Sequence, residues 1–352
     1  VYHTAIHITG SAYETDIRNC RLERFTTYGI RVEANGVVID NNDLAPSGAA
    51  MTAGIEITAN HVAVRDNWLE AALNEGGTWV LINGGHSASI RGNNFSANYV
   101  AGGYMIRIIA GVRDTRIVDN YISTGRGTGL SIEGAGTFEV AVVGNTFDTD
   151  MADSIRAIDV NGRTEVTITG NTFVLNTVPT AEVIKIRNGA GFVSIVGNTF
   201  RRPGTQGGVG MTLSAAFRTE ILGNTFDNLS NDIELAGDAS QSWNYTIIGN
   251  DFYGTATPVA NDVGSGRIVR HNRGYVTENS GTATVPNGAT TVVVNHGLSA
   301  APTRVQTTAT QWGNASKVKW RTPTATQFTI EVDADPGPSG ATFDWRAWVG
   351  EG

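Results

Sequence analysis

The residues most able to do chemistry are carboxylates repeated at strand spacing. Between residues 6 and 236 an apolar-x-apolar-x pattern recurs ten times, from Ile6-His7-Ile8-Thr9 to Ile233-Glu234-Leu235-Ala236. Successive side chains of a β-strand point to opposite faces, so the x positions lie outward. The first outward column reads His7, Arg31, Glu56, Leu81, Arg107, Ser131, Asp159, Lys185, Thr212, Glu234; the second contains Glu33, Glu133 and Arg187. If these strands stack in parallel, two diagonals pair carboxylates on neighbouring strands: Glu33 with Glu56, and Glu133 with Asp159. One strand across and two residues along is roughly 8 Å. Inverting glycoside hydrolysis places its carboxyls roughly 6.5–9.5 Å apart, leaving room for a water between acid and base. Glu33, Glu56, Glu133 and Asp159 are therefore the catalytic candidates, one of each pair as general acid and the other as base.

Alternation also turns Trp79 outward beside Leu81, where an indole can stack on a sugar ring; a subunit contact would use the same patch. Arg31 and Arg107 are placed to hold an acidic group near the first pair, and Lys185 and Arg187 near the second. The competing interpretation is structural. Arg31 beside Glu56 and Lys185 beside Asp159 would be cross-strand ion pairs on a solvated face.

The scaffold that positions these residues is a repeat. Val142-Val143-Gly144-Asn145-Thr146-Phe147 returns around Asn171, Asn198, Asn224 and Asn250, with weaker copies at Asn42, Asn67, Asn93 and Asn120. Cys20 takes the Asn place in the first copy and Asn272 ends the series, with neighbours 22 to 27 residues apart. A fixed period of this size marks a solenoid. Its apolar residues are β-branched or aromatic and alternate with polar ones, which is strand periodicity. The fold expected is all-β: a right-handed parallel β-helix of about eleven coils, three short strands each. Handedness follows the rule for parallel crossovers. The Asn tolerates the left-handed conformation of a sharp turn, as does the Gly before it. Buried Asn side chains can hydrogen-bond from coil to coil, and the Phe two positions later fills the core. Cys20 is expected to be a small buried filler.

Composition sets further bounds. The sequence has 352 residues, 43 of them glycine, and a net charge of −8 without a basic run, which suits a turn-rich all-β protein and argues against a nucleic-acid partner. One cysteine rules out an internal disulfide. No apolar run is long enough to insert in a membrane. Asp148-x-Asp150-x-x-Asp153 lacks the Gly and terminal Glu of a calcium loop, and His3 and His7 lack a third ligand, so neither metal nor cofactor is expected. The chain opens inside a coil, which suggests a longer parent continuing upstream. Residues 1–275 are assigned to the β-helix, 276–281 to a linker, and 282–352 to a small antiparallel β-sandwich with strands between Gly/Pro/Asp turns.

Asn295-His296-Gly297-Leu298-x-x-x-Pro302 with Phe343-x-Trp345-Arg346-Ala347 resembles the C-terminal β-sandwich of bacteriophage tailspikes and tail fibres, similar to H-type lectin domains. A β-helix followed by such a cap is the tailspike layout. The resemblance implies a homotrimer on the virion, acting outside the host cell, attached through an upstream region, that binds and often cleaves host cell-surface polysaccharide. No shared motif marks tailspike catalytic carboxylates, so none is carried over. The four exposed-type tryptophans of the cap, Trp312, Trp320, Trp345 and Trp348, suit self-association. The alternatives are a non-catalytic receptor-binding fibre and a secreted β-helix lyase or epimerase.

Overall fold

The computed structural model describes residues 2–10, 14–46, 51–70, 77–96, 103–109, 111–124, 127–134, 136–149, 156–162, 164–176, 182–236, 244–260 and 267–349. Asp150 and Asp153 lie outside them. Every regular element among the described residues is a β-strand, and no helix there is long and apolar enough to cross a membrane.

The chain forms two compact units: Val1–Tyr245 with Asp251–Ser265, and Thr246–Asn250 with Gly266–Gly352. In the first unit three parallel sheets stack coil on coil. Sheet A has eleven strands, from Tyr2–Ile8 to Thr257–Ala260, and sheet C has ten, from Arg21–Glu23 to Asp251–Tyr253. Sheet B begins at Asp16–Arg18 and reaches Glu220–Leu222 in this unit. Each sheet takes every third strand, so the chain passes A, B, C and returns one coil further on. This is the parallel β-helix expected, with sheet A made of the apolar-x-apolar-x strands.

The Asn column runs through its interior. Asn145 Nδ2 donates to Asn171 Oδ1 at 3.0 Å, Asn171 to Asn198 at 2.9 Å, and Asn198 to Asn224 at 3.0 Å. Each acceptor oxygen also takes the backbone N–H of the Asn below, as Asn145 N to Asn171 Oδ1 at 2.9 Å. Nδ2 further donates to carbonyls such as that of Ile117, 2.8 Å from Asn145. Satisfying both ends removes the cost of about 1–3 kcal/mol of a buried unpaired amide. The left-handed backbone falls on the residue before each column position, not on the column Asn: Asn41, Asp66, Asp119, Gly144 and Gly170 have φ of 52°, 56°, 54°, 67° and 63°. The phenylalanines stack below, with centroids 5.1 Å apart for Phe147–Phe173 and 4.6 Å for Phe200–Phe226. Cys20 keeps the column position, its N–H donating to Asn42 Oδ1 at 3.0 Å, but it is only half-buried and so is not the core filler expected.

In the second unit two three-stranded antiparallel sheets form a sandwich: Glu278–Val285, Ala341–Trp348 and Arg304–Gln311 in one; Thr291–Asn295, Gln327–Val332 and Val318–Arg321 in the other. Residues 278–281, expected as linker, instead pair with Trp345 to Trp348, and the compact unit begins before residue 275. Val285, Phe328, Ile330, Phe343 and Trp345 fill the core. The His296-Gly297-Leu298 motif is structural: the Leu298 N–H donates to His296 Nδ1 at 3.0 Å, and Nε2 meets the Thr324 carbonyl at 3.1 Å. Trp345 is buried, while Trp312 and Trp320 are exposed.

Candidate functional site

On sheet A the expected carboxylates are brought together, and each is held by a cation. Arg31 lies opposite Glu56 in the ladder. Its Nε is 2.9 Å from Glu56 Oε2 and its Nη2 3.0 Å from Glu33 Oε1, so one guanidinium links the first pair. In the second pair Arg107 donates to both oxygens of Glu133 at 2.9 Å. Arg187 donates to both oxygens of Asp159 at 3.0 and 2.8 Å, and Arg156 adds a contact at 3.5 Å. Lys185 stands opposite Asp159 but pairs with Glu182 at 3.0 Å instead. Nor is the face uniformly solvated: Glu56 and Asp159 are only 4% and 5% exposed.

Two-pronged arginine contacts favour the ionised carboxylate. Burial pushes the Glu133 carboxyl up, but hydrogen bonds from Arg107 and Ser131 and the charges of Arg107 and Arg187 outweigh it, leaving it below the usual glutamate range. Glu182 is lowered likewise, burial being outweighed by hydrogen bonds from Lys185 and Arg156. The hydrogen bond from Arg107 to Glu133, and that from Arg187 to Asp159, raise those two guanidinium groups. The arginine and lysine contacts make Glu133 and Glu182 poor proton donors.

Trp79 overturns its expectation. It is 0% exposed, and Leu81 beside it is buried. Strict alternation fails here because the ladder pairs Thr78 with Ala53 and Val80 with Ile55, passing over Trp79 and Gly54. Gly54 supplies the space: a Cβ on it would stand 2.6 Å from Trp79 Cε3. The indole is core and cannot stack a ligand.

Around the short corner from sheet A to sheet B the carboxylates have a different setting. Asp114, Glu139 and Glu165 lie near the starts of the sheet B strands Arg113–Val118, Thr137–Val143 and Thr164–Thr169. They line a groove of about 560 Å³ with Arg116 and Phe192. An adjoining apolar pocket of about 310 Å³ is walled by Phe138, Phe192 and Phe217 and shares Glu165. Arg218 lies 4.9 Å over the Phe192 ring and Arg113 5.5 Å over Phe138.

Backbone geometry aims these side chains. The ladder pairs Arg113 with Phe138 and Thr115 with Val140, leaving Asp114 and Glu139 between them at φ 51° and 58°. On the next coil Thr137 pairs with Thr164 and Val140 with Val166, so Phe138 and Glu139 together face Glu165 alone. That is a β-bulge, a device that redirects side chains beside functional sites. Glu139 is hydrogen-bonded to Asp114. That bond, then the charge of Asp114, slight burial and the charge of Glu165 raise the Glu139 carboxyl above the usual glutamate range, against the pull of Arg113. Neighbouring carboxyls of which one is raised are an arrangement that acid–base reactions use.

The sequence reading missed this cluster because it followed one column of one sheet. A signal was present: Leu130 and Asn145 are fifteen residues apart and Ile158 and Asn171 thirteen, and the longer stretch from sheet A to the column carries the bulge.

Residues 4–173 match the family model for a right handed beta helix region, and residues 108–257 that for a periplasmic copper-binding protein (NosD). The second stretch contains neither histidine nor cysteine, so it does not offer the imidazole and thiolate ligands that suit copper. Among the described residues no group of three or more His, Cys, Asp or Glu could hold a metal ion. No curated protein is similar to the chain in sequence. The tailspike protein of E. coli bacteriophage HK620, solved in complex with a pentasaccharide, is similar in structure, with a TM-score of 0.57 and 13% identity over 99% of this chain and 71% of that one. The chain has the fold of phage tailspikes. Tailspike protein 2 of bacteriophage CBA120, as its enzymatically active domain, gives 0.53 at 13% identity over 91% of this chain and 56% of that one. The A-module of mannuronan C-5 epimerase AlgE4 from Azotobacter vinelandii gives 0.50 at 13% identity over 70% and 78%. Tailspike and epimerase alike share the β-helix, and at these identities the likeness is one of fold.

Proposed function

We propose that this chain is the β-helix part of a phage tailspike, that it binds a host cell-surface polysaccharide across the sheet A–sheet B corner, and that it hydrolyses the polysaccharide there. The observation that carries the reading is the set of carboxyls Asp114, Glu139 and Glu165, which a bulge brings to one groove beside an aromatic pocket. Glu139, its carboxyl raised by the neighbouring acids, gives its proton to the leaving glycosidic oxygen. Asp114 or Glu165 acts from the other side, as base to water or as nucleophile. Phe192 and Phe138 offer ring faces to the sugar. Arg31, Arg107, Lys185 and Arg187 present the free edges of their charges from sheet A. The pentasaccharide bound to the HK620 tailspike and the mannuronan of the epimerase support a polysaccharide as the ligand class. In this proposal the protein works as a homotrimer on the virion, outside the host cell.

A second reading, a receptor-binding fibre without catalysis, is favoured by the arginine pairing of Glu56, Glu133 and Asp159. The test is size-exclusion of host polysaccharides before and after incubation, with Asp114→Asn, Glu139→Gln and Glu165→Gln set against Glu33→Gln, Glu56→Gln, Glu133→Gln and Asp159→Asn. Loss of chain shortening in the first set alone supports the corner site. Loss in the second set alone moves catalysis to sheet A. Binding without shortening by the unmodified protein establishes the fibre.

A further inference from the structure

A second surface, on sheet C, has the makings of a sugar-binding platform. Its outward column runs Asp43, Trp68, Asn94, Tyr121, Thr146, each opposite the next in the ladder. Alternation sends Leu69, Phe95 and Ile122 into the core and leaves these residues outside. Trp68 is 48% exposed and Tyr121 41%, large apolar rings on a face that is otherwise polar. Both rings are held at their polar edges. Trp68 Nε1 donates to Glu70 Oε2 at 3.0 Å, and the Tyr121 hydroxyl donates to Asp148 Oδ2 at 3.0 Å. Asn176 Nδ2 fixes Asp148 in turn, 2.7 Å from Oδ1. A groove of about 520 Å³ runs beside Trp68, lined by Arg21, Asp43, Asp66 and Asn94.

We infer that Trp68 and Tyr121 form a binding site for an uncharged polysaccharide, with one pyranose ring stacked on each and the Asn94 amide between them. This rests on the reading that the chain binds polysaccharide, and adds a site away from the corner groove. Three observations carry it. The rings stand two coils apart, about 9.6 Å at the ordinary strand spacing, which is close to the advance of two sugars in an extended glycan. Their ring edges are tied by carboxylates that also accept hydrogen bonds from sugar hydroxyls, so each sugar meets an apolar face and a polar rim together. The surrounding charge selects against acidic sugars: Asp43, Asp66, Glu70 and Asp148 outnumber Arg21, which is itself paired with Glu23 at 2.6 Å and Asp43 at 3.5 Å. An apolar protein surface would have to strip water from all these charges; a glycan would not.

The test uses the full chain on an array of neutral and acidic bacterial O-antigen and capsular polysaccharides, with Trp68→Ala/Tyr121→Ala beside the unmodified protein. Unmodified protein is expected to bind at least one neutral polysaccharide. The double variant should weaken that binding by roughly tenfold or more, as exposed aromatic anchors do. Tyr121→Phe, which keeps the ring, should retain most of the affinity. Light scattering should give the same mass for all. Binding of neutral polysaccharide that survives in the double variant overturns this site and leaves polysaccharide recognition standing. Binding of acidic polysaccharides alone also overturns it, and no binding at all defeats both proposals. A changed mass in the double variant would make the face a contact between copies instead.

Discussion

Two sets of carboxylates lie a few residues apart along the same coils and have opposite partners. Glu133 and Asp159, on the outer face of sheet A, are each gripped by an arginine fork. Glu139, six residues beyond Glu133 and round the corner, is bonded to another carboxyl. Arg107 lowers Glu133, and the neighbouring acid raises Glu139. Spacing on a β-helix face therefore does not distinguish a structural carboxylate from a reactive one; the charge of the nearest partner does. Asp232 is a third kind. It is fully buried, takes one hydrogen bond from Thr255 Oγ1 at 2.9 Å, and has no partner for Oδ2. Burial raises it to about 8, against the Thr255 bond.

The largest difference should appear in turnover. Glu139→Gln is expected to lower polysaccharide cleavage by about 100- to 10,000-fold, in keeping with acid–base contributions, while Glu133→Gln leaves the rate close to that of unmodified protein. In the unmodified protein the rate should fall on the alkaline side as Glu139 loses its proton, since a general acid works only when protonated. Glu133→Gln should not move that limb. Reducing-end release across a pH series reads both.

Next comes Asp232, through stability. Its folded value lies above the ordinary aspartate value, so the folded state holds a proton that the unfolded state has released. The stability from that proton is complete below about pH 4 and is lost progressively as pH rises to about 8, a few kcal/mol in all. Denaturant midpoints should decline through this window, and Asp232→Asn should flatten the decline.

The sheet A pairs should give smaller effects. Arg187→Met leaves buried Asp159 with Arg156 alone and should cost about 2 kcal/mol by denaturant unfolding. Glu33→Gln, on a partly exposed pair with Arg31 and His7, should cost under about 1 kcal/mol. Were Glu33→Gln to abolish cleavage, the contrast between the two sets would collapse.

Much of the fold could be read from the sequence, because a solenoid repeats its demands. The Asn ladder and sheet A each need the same residue type once per coil, and nine or more copies leave little ambiguity; the Phe stack adds five, from Phe147 to Phe252. The cap strand Glu278–Val285 was missed because Glu-Asn-Ser-Gly reads as a turn, and only pairing with Ala341–Trp348 makes it a strand. At the site, Arg31 with Glu56 followed from strict alternation. Trp79 did not, because Gly54 on the preceding coil opens an interior space that local pattern cannot reveal. The Asp114–Glu139 contact needs a bulge and two left-handed residues, Asp114 and Glu139, neither of them glycine. Sequence registers such a bulge only as a longer stretch between a sheet A strand and the next column Asn.

The central claim is that partner charge sets these carboxyls apart. It is tested most directly by a ¹³C NMR titration of the labelled glutamate side chains. Glu139 should titrate above the usual glutamate range and return toward it in Asp114→Asn, while Glu133 titrates below that range in both proteins. A Glu139 carboxyl that titrates with or below Glu133, or one that ignores the loss of Asp114, would contradict the account.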